Sequence, residues 1–156
     1  RIVSKFPQID KLWLLTGEGQ MFADARQRGM QIPFYNTDVE QHIASLDRLE
    51  AECDLVVLPV GDCDLAMVYN GRAMGAVVPP GTIVLLKAID ADAIIPGEEY
   101  VIVCQKIVTL RIVRAADAEG KYRLVPGDRE NFDDIVVNAS DITSVYKVKG
   151  KLIINS

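Results

Sequence analysis

Two pairs of acidic residues have the side chains that a glycosidase uses: Asp62 with Asp64, and Asp133 with Asp134. A glycosidase site also needs aromatic residues that stack on sugar rings, and aromatic residues make up only 6% of this chain. Acidic residues at turns more commonly accept hydrogen bonds from the backbone. The two pairs therefore favour turns over a glycosidase site.

The residues suited to nucleophilic or metal chemistry are few. The chain has one histidine, His42, and three cysteines without CxxC spacing: Cys53, Cys63 and Cys104. A Ser-His-Asp mechanism needs an imidazole beside a serine, and a zinc site needs several His or paired Cys ligands. We therefore predict no metal and no cofactor, and we interpret His42 as a packing or surface residue. The odd number of cysteines argues against a disulfide framework and fits a reducing cytoplasm.

Length and composition indicate one folded domain with its own core. The chain has 156 residues, of which 49% are hydrophobic and 25% are charged. No apolar run approaches the about 18 residues of a membrane span. A net charge of −5 argues against a broad face that grips nucleic-acid phosphates. The chain opens at Arg1 without an initiator Met or a signal peptide, so we expect a fragment or processed chain in the cytoplasm.

The region after Cys53 has the pattern of a mainly β body. Short runs rich in Val and Ile alternate with turns built from Gly, Pro, Asp and Asn. This pattern is typical of a partly open barrel or sandwich of short strands. The predicted strands are 55–60, 65–69, 82–89, 100–104, 107–113, 122–125, 135–137, 142–148 and 152–154.

The region before Cys53 divides into three predicted parts. Residues 1–22 are predicted to form a short helical segment. Residues 23–36 are predicted to form a linker, because Gly29 and Pro33 interrupt any periodic pattern of apolar residues. One amphipathic helix is predicted next, with Thr37 and Glu40 as a capping box. Its apolar positions repeat at intervals of three or four residues: Val39, Ile43, Leu46 and Leu49. The β body then spans 37–156.

The order of several strings resembles a known type of regulator. Residues 9–21, which contain Trp-Leu-Leu-Thr-Gly-Glu-Gly, resemble the closing segment of Cro/repressor-type helix-turn-helix domains, and Ile-Pro-Phe-Tyr at 32–35 resembles the start of the linker in those regulators. Residues 61–85 and 96–103 are similar to the core of LexA-type and phage repressor C-terminal domains, which have the signal-peptidase-like serine peptidase fold. The resemblance implies a homodimer that binds operator DNA through a domain upstream of Arg1.

The resemblance also implies a self-cleavage site, and this sequence departs from it at both catalytic positions. The Gly-Asp-Ser-Met turn of LexA-type domains aligns with Gly71, Arg72, Ala73 and Met74, so alanine replaces the serine. Arg111 occupies the position of the lysine that takes the proton of that serine. Ala73 has no oxygen, and a guanidinium with a pKa above about 12 cannot act as a general base. We therefore predict a pseudopeptidase.

Two further features bear on self-cleavage. LexA-type linkers are cut at a small pair, usually Ala-Gly, and residues 23–55 contain none; the nearest substitute, Ala44-Ser45, falls in the predicted helix. A relocated dyad could use Ser140 or Ser144 with Lys147 or Lys149, or Lys106 could stand at the lysine position. Ser140-Asp141 reads better as a turn, and Lys147 and Lys149 read as solvent-facing positions of a strand.

The sequence leaves three functions open. We predict first the dimerisation and regulatory domain of a phage-repressor-like transcriptional regulator. The alternatives are an active self-cleaving peptidase and an inert cleft that binds a peptide, with an antirepressor as a further possible partner. The predicted cleft wall is Gly71, Arg72, Met74 and Pro79. The predicted dimer interface is Val145, Val148, Leu152 and Ile154, unless these strands are simply interior.

Overall fold

The computed structural model of the protein describes residues 31–56 and 62–154. Its main feature is a sheet of nine strands in the order β2-β1-β3-β4-β9-β5-β6-β7-β8. The strands are β1 (Gln31–Asp38), β2 (Cys53–Val56), β3 (Leu65–Tyr69), β4 (Thr82–Ile89), β5 (Glu99–Cys104), β6 (Val108–Ala115), β7 (Lys121–Val125), β8 (Ile135–Asn138) and β9 (Ile142–Leu152). The prediction of a mainly β fold is confirmed, and the strands form one open, mixed sheet.

Strand β1 makes the sheet mixed. It pairs antiparallel with β2 and parallel with β3, where Phe34 lies opposite Ala66. Residues 31–36 of the predicted linker form most of this strand. The predicted helical segment at 1–22 and the rest of the linker, 23–30, lie outside the described residues. The division of the chain into domains stays a prediction.

The amphipathic helix is shorter than predicted. Helix α1 (Val39–His42) is the one α-helix in the described parts of the chain, and a 3₁₀ segment, Ile43–Arg48, continues it with a non-helical kink at Ser45. The predicted capping box is wrong, because Thr37 lies in β1 and the carboxylate of Glu40 bonds to β6 instead. The apolar stripe is confirmed: Val39 and Ile43 are buried, and Leu46 and Leu49 pack against the same core.

Successive side chains along each strand point to opposite faces of the sheet, so the buried residues form separate clusters on the two faces. On β3, Leu65, Met67 and Tyr69 belong to one buried cluster, while Ala66 belongs to another. A third cluster lies around Tyr100, in the half of the sheet formed by β5 to β8. Strand β9 joins the two halves, since it pairs with both β4 and β5.

Strand β9 also corrects two predicted strands. The segments 142–148 and 152–154 were expected to be separate, but Ile142–Leu152 is one strand. Its pairing with β4 shifts register between Leu85 and Leu86, opposite Gly150. The irregularity explains the interrupted apolar pattern in the sequence.

Across residues 31–56 and 62–154, no helix has the length and apolar character needed to cross a membrane.

Candidate functional site

The turn that carries Ala73 is held against the last residue of β3. A Cβ on Gly71 would lie only 2.6 Å from the hydroxyl oxygen of Tyr69, so only glycine fits at this position. Two residues on, Ala73 is 7% exposed. Gly75, with φ of +56°, reverses the chain and donates its N–H to the carbonyl of Arg72 at 3.1 Å. The turn therefore packs against the buried Tyr69, and it depends on glycine at positions 71 and 75.

One loop contacts both predicted catalytic positions. We name residues 126–134, which follow β7, the bridging loop. Its Asp128 N–H donates to the carbonyl of Ala73 at 2.9 Å, and its Asp133 carbonyl accepts a hydrogen bond from Nη1 of Arg111 at 3.1 Å. The structure thus brings Ala73 and Arg111 into one region of the fold, each bonded to the same loop.

The backbone contact between this loop and the Ala73 turn is very close. A Cβ on Gly127 would lie 2.2 Å from the carbonyl oxygen of Met74 and 2.8 Å from its carbonyl carbon. Real Cβ atoms essentially never approach other heavy atoms within 3.0 Å. Glycine at position 127 is therefore what allows the two segments to touch.

Arg111 is a buried charge with few partners. It is 7% exposed, and its Nε has no hydrogen-bond partner among the residues that the structure describes. Glu40, on α1, lies close to it in the fold and accepts hydrogen bonds from Leu110 N–H at 2.8 Å and from Thr109 Oγ1 at 3.1 Å. Burial raises the pKa of Glu40, although both hydrogen bonds and the charge of Arg111 oppose that change.

The hydroxyl of Tyr69 lies beside the Ala73 turn, and it is not an activated nucleophile. Its side chain is fully buried, and its oxygen lacks a hydrogen bond of normal geometry within the described part of the chain. Burial, with a smaller contribution from the negative charge of Glu40, raises the pKa of Tyr69 to about 12. At neutral pH the hydroxyl therefore stays protonated. Among the described residues, the region holds hydrogen-bonding and charged groups but no nucleophile paired with a base.

The alternative lysines do not supply such a pair either. The ammonium of Lys147 forms an ion pair and hydrogen bond with the carboxylate of Glu98, which raises the pKa of Lys147. A general base needs the opposite change, because it must be neutral near the working pH. Ser140 and Ser144 are exposed, and Lys106 is exposed in the turn between β5 and β6.

The residues predicted to form the cleft wall differ in their exposure. Met74 is fully buried in the chain's own core. Gly71 and Pro79 are half-buried, and Arg72 is exposed. The carbonyl of Pro79 is already occupied, since it accepts hydrogen bonds from both the N–H and the hydroxyl of Thr82. Three of the four residues are therefore at least partly accessible to solvent, and peptide binding there stays a prediction.

The residues predicted to form the dimer interface divide in the same way. Val145 is 2% exposed and belongs to the core cluster around Tyr100, so its side chain is interior in this chain. Val148 packs partly on the core cluster that includes Val39, and Leu152 and Ile154 pack partly on the cluster that includes Phe34. The neighbouring Ile153 is 49% exposed. Contact with a second chain stays a prediction.

Sequence reasoning missed Glu40 and Tyr69 as neighbours of Arg111, and it missed the bridging loop. Pro126-Gly127-Asp128 is visible in the sequence as a turn, but nothing in that string indicates what the turn contacts.

Within the described ranges, no group of three or more His, Cys, Asp or Glu side chains is arranged to hold a metal ion.

Comparison with known proteins adds no relative: no family model matches this sequence, and no curated protein is similar to it.

Proposed function

We propose that this chain is the dimerisation and regulatory domain of a phage-repressor-like transcriptional regulator, with a LexA-type fold whose self-cleavage site is degenerate. The observation that carries the proposal is the pair of substitutions at positions 73 and 111, within a sequence whose segment order otherwise resembles that family. The mainly β fold is compatible with it.

The surroundings of the two positions support the loss of cleavage. Ala73 presents a methyl group, which cannot attack a carbonyl. Arg111 donates a hydrogen bond to the carbonyl of Asp133, and a guanidinium cannot act as the general base that a serine needs. Loss of one member of a catalytic dyad removes a factor of roughly a million from the rate, and loss of both costs little more because the two act as a unit.

Intact mass spectrometry tests the absence of cleavage. The chain is incubated at about pH 7 and near the free-lysine pKa of about 10.4, beside a double variant that carries A73S and R111K. We expect the native chain to remain uncut at both pH values. Cutting of the double variant would support a preserved catalytic scaffold. A single cut in the native chain between residues 23 and 55 would overturn the proposal and favour an active peptidase with another nucleophile.

Sedimentation velocity tests the dimer. Ile153 is the large apolar side chain that the predicted interface segment exposes, at 49%. We expect the native chain to sediment as a dimer and I153D to sediment as a monomer. Ile95, 53% exposed in the loop before β5, provides the matched control, because I95D makes the same change elsewhere and should leave the dimer intact. A native monomer, or a dimeric I153D, would contradict this part of the proposal.

A further inference from the structure

A groove beside the bridging loop has a composition unlike the rest of this acidic chain. Its volume is about 410 Å³, and it lies between β6, β7 and the bridging loop. Apolar side chains line one part of it, among them Ile112, Val125 and Pro126. Three arginines line the other part: Arg114, Arg123 and Arg129. Half of the six arginines in the described residues therefore converge on one groove.

The positive charge of the groove is only partly neutralised. Asp134 is its one acidic lining residue, and its carboxylate lies between two guanidiniums, 3.3 Å from Nη1 of Arg129 and 3.6 Å from Nε of Arg123. The third guanidinium, that of Arg114, has no ion pair or hydrogen bond with any described residue. The groove therefore carries an excess of positive charge on a protein whose net charge is −5.

One guanidinium nitrogen beside the groove lacks an acceptor among the described residues. Nε of Arg123 is inaccessible to solvent and makes no hydrogen bond to any residue in the described ranges, since Asp134 is too distant at 3.6 Å. A buried N–H without an acceptor is unfavourable, and an anionic oxygen is the strongest acceptor for a guanidinium. Nε itself is closed to a ligand, but the Arg123 side chain as a whole is 39% exposed. Its guanidinium and that of the exposed Arg114, which has no ion pair with any described residue, therefore leave positive charge accessible in the groove.

We propose that this groove binds a small organic anion, in which a phosphate or carboxylate is attached to an apolar body. Arginine recognises either group through its planar array of donors, and the apolar lining would cover the body of the ligand. The volume falls within the range of about 300–1,000 Å³ that is typical of small-molecule sites. The proposal does not depend on the function proposed above.

The topology favours a small molecule over a peptide or a nucleic acid. Strands β6 and β7 are each paired on both sides, so the groove offers no free strand edge to the backbone of a peptide. Duplex DNA requires a run of cationic side chains that follows the phosphates, and this groove is a single short patch on an acidic chain.

Titration followed by NMR tests the site with three probes on the whole chain. Phenyl phosphate carries both features of the proposed ligand, inorganic phosphate carries the charge alone, and phenol carries the apolar body alone. We expect phenyl phosphate to bind most tightly and to shift the backbone amides of Ile112, Arg123 and Gly127. No shift of these amides, or equal affinity for phenyl phosphate and phenol, would overturn the proposal.

Two arginine variants separate the groove from general charge effects. We expect R114Q to weaken the binding of phenyl phosphate by about tenfold to a hundredfold, the range for loss of a hydrogen bond to a charged group. Arg48 is exposed at the end of the 3₁₀ segment, so R48Q makes the same change of charge outside the groove and should bind as the native chain does. Circular dichroism verifies that both variants are folded. Equal affinity of R114Q and the native chain would refute the assignment, and so would an acidic peptide or duplex DNA that shifts the groove amides where phenyl phosphate does not.

Discussion

Replacement of Gly127 by alanine should destabilise the protein by bringing a side chain into a backbone contact. The added Cβ would lie 2.2 Å from the carbonyl oxygen of Met74 in the present geometry. The two segments must therefore separate until this distance reaches at least 3.0 Å. That movement strains the hydrogen bond of 2.9 Å between Asp128 N–H and the carbonyl of Ala73, which ties the bridging loop to the turn.

The size of the effect follows from these two contacts. Overpacking in a well-packed region costs about 1–3 kcal/mol, and loss of the hydrogen bond adds about 0.5–1.5 kcal/mol. We therefore expect G127A to lower the free energy of unfolding by about 2–4 kcal/mol. For a chain of this length, that corresponds to a fall in the melting temperature of roughly 4–16 °C.

Urea unfolding followed by far-ultraviolet circular dichroism measures this change. Gly150 provides the control, because the nearest atom to an added Cβ there is the end of the Leu85 side chain, at 3.1 Å, which can move. We expect G150A to change the free energy of unfolding by less than about 1 kcal/mol. A cost for G127A below about 1 kcal/mol, or an equal cost for G150A, would refute the backbone contact.

Two further predictions concern the polar groups near Arg111. Burial raises the pKa of Glu40 above its ordinary value of 4.5, so its stabilising contribution is full below pH 4.5 and is lost as the pH rises through the folded pKa. The free energy of unfolding of the native chain relative to E40Q should fall across that range, and a difference independent of pH in urea unfolding would contradict this. Replacement of Tyr69 by phenylalanine should change the stability by less than about 1 kcal/mol, because the hydroxyl makes no hydrogen bond of normal geometry with the described residues and only a weak contact with the backbone of Met74. A loss above about 2 kcal/mol in thermal unfolding would show that the hydroxyl has a partner.

A strand can be predicted from the sequence when its apolar run and its flanking turns mark both of its ends. The sequence predicts β3 and β4 to the residue, because apolar runs end at Tyr69 and begin at Thr82 with Pro79-Pro80-Gly81 between them. Strand β1 was not predicted. It contains Pro33, and only Ile32 and Phe34 of its residues are buried, so its alternation is too short to recognise. Its parallel partner β3 lies about thirty residues further on, which no local pattern can indicate.

The candidate site shows the same limit. Positions 73 and 111 follow from the resemblance, whereas their shared contact with the bridging loop depends on backbone hydrogen bonds between distant segments. Glu40 shows how such contacts override local signals. Its spacing from Thr37 predicts a capping box, but its carboxylate bonds to Leu110 and Thr109 on β6 instead.

The central position of β9 has a consequence for how the chain reaches its native state. Strands β1 to β4 and strands β5 to β8 form two sets that pair only through β9, the last strand in the described sequence. As the chain emerges from the ribosome, both sets are synthesised before the strand that joins them, and the facing edges of β4 and β5 are exposed in the interval. Such unpaired edges favour association with other chains. Because Ile83 must find Leu152, the joining step also closes a long loop, which is slow. Pairing of Ile142–Leu152 therefore covers the facing edges of β4 and β5 and makes one continuous sheet, with β2 and β8 as its remaining edges.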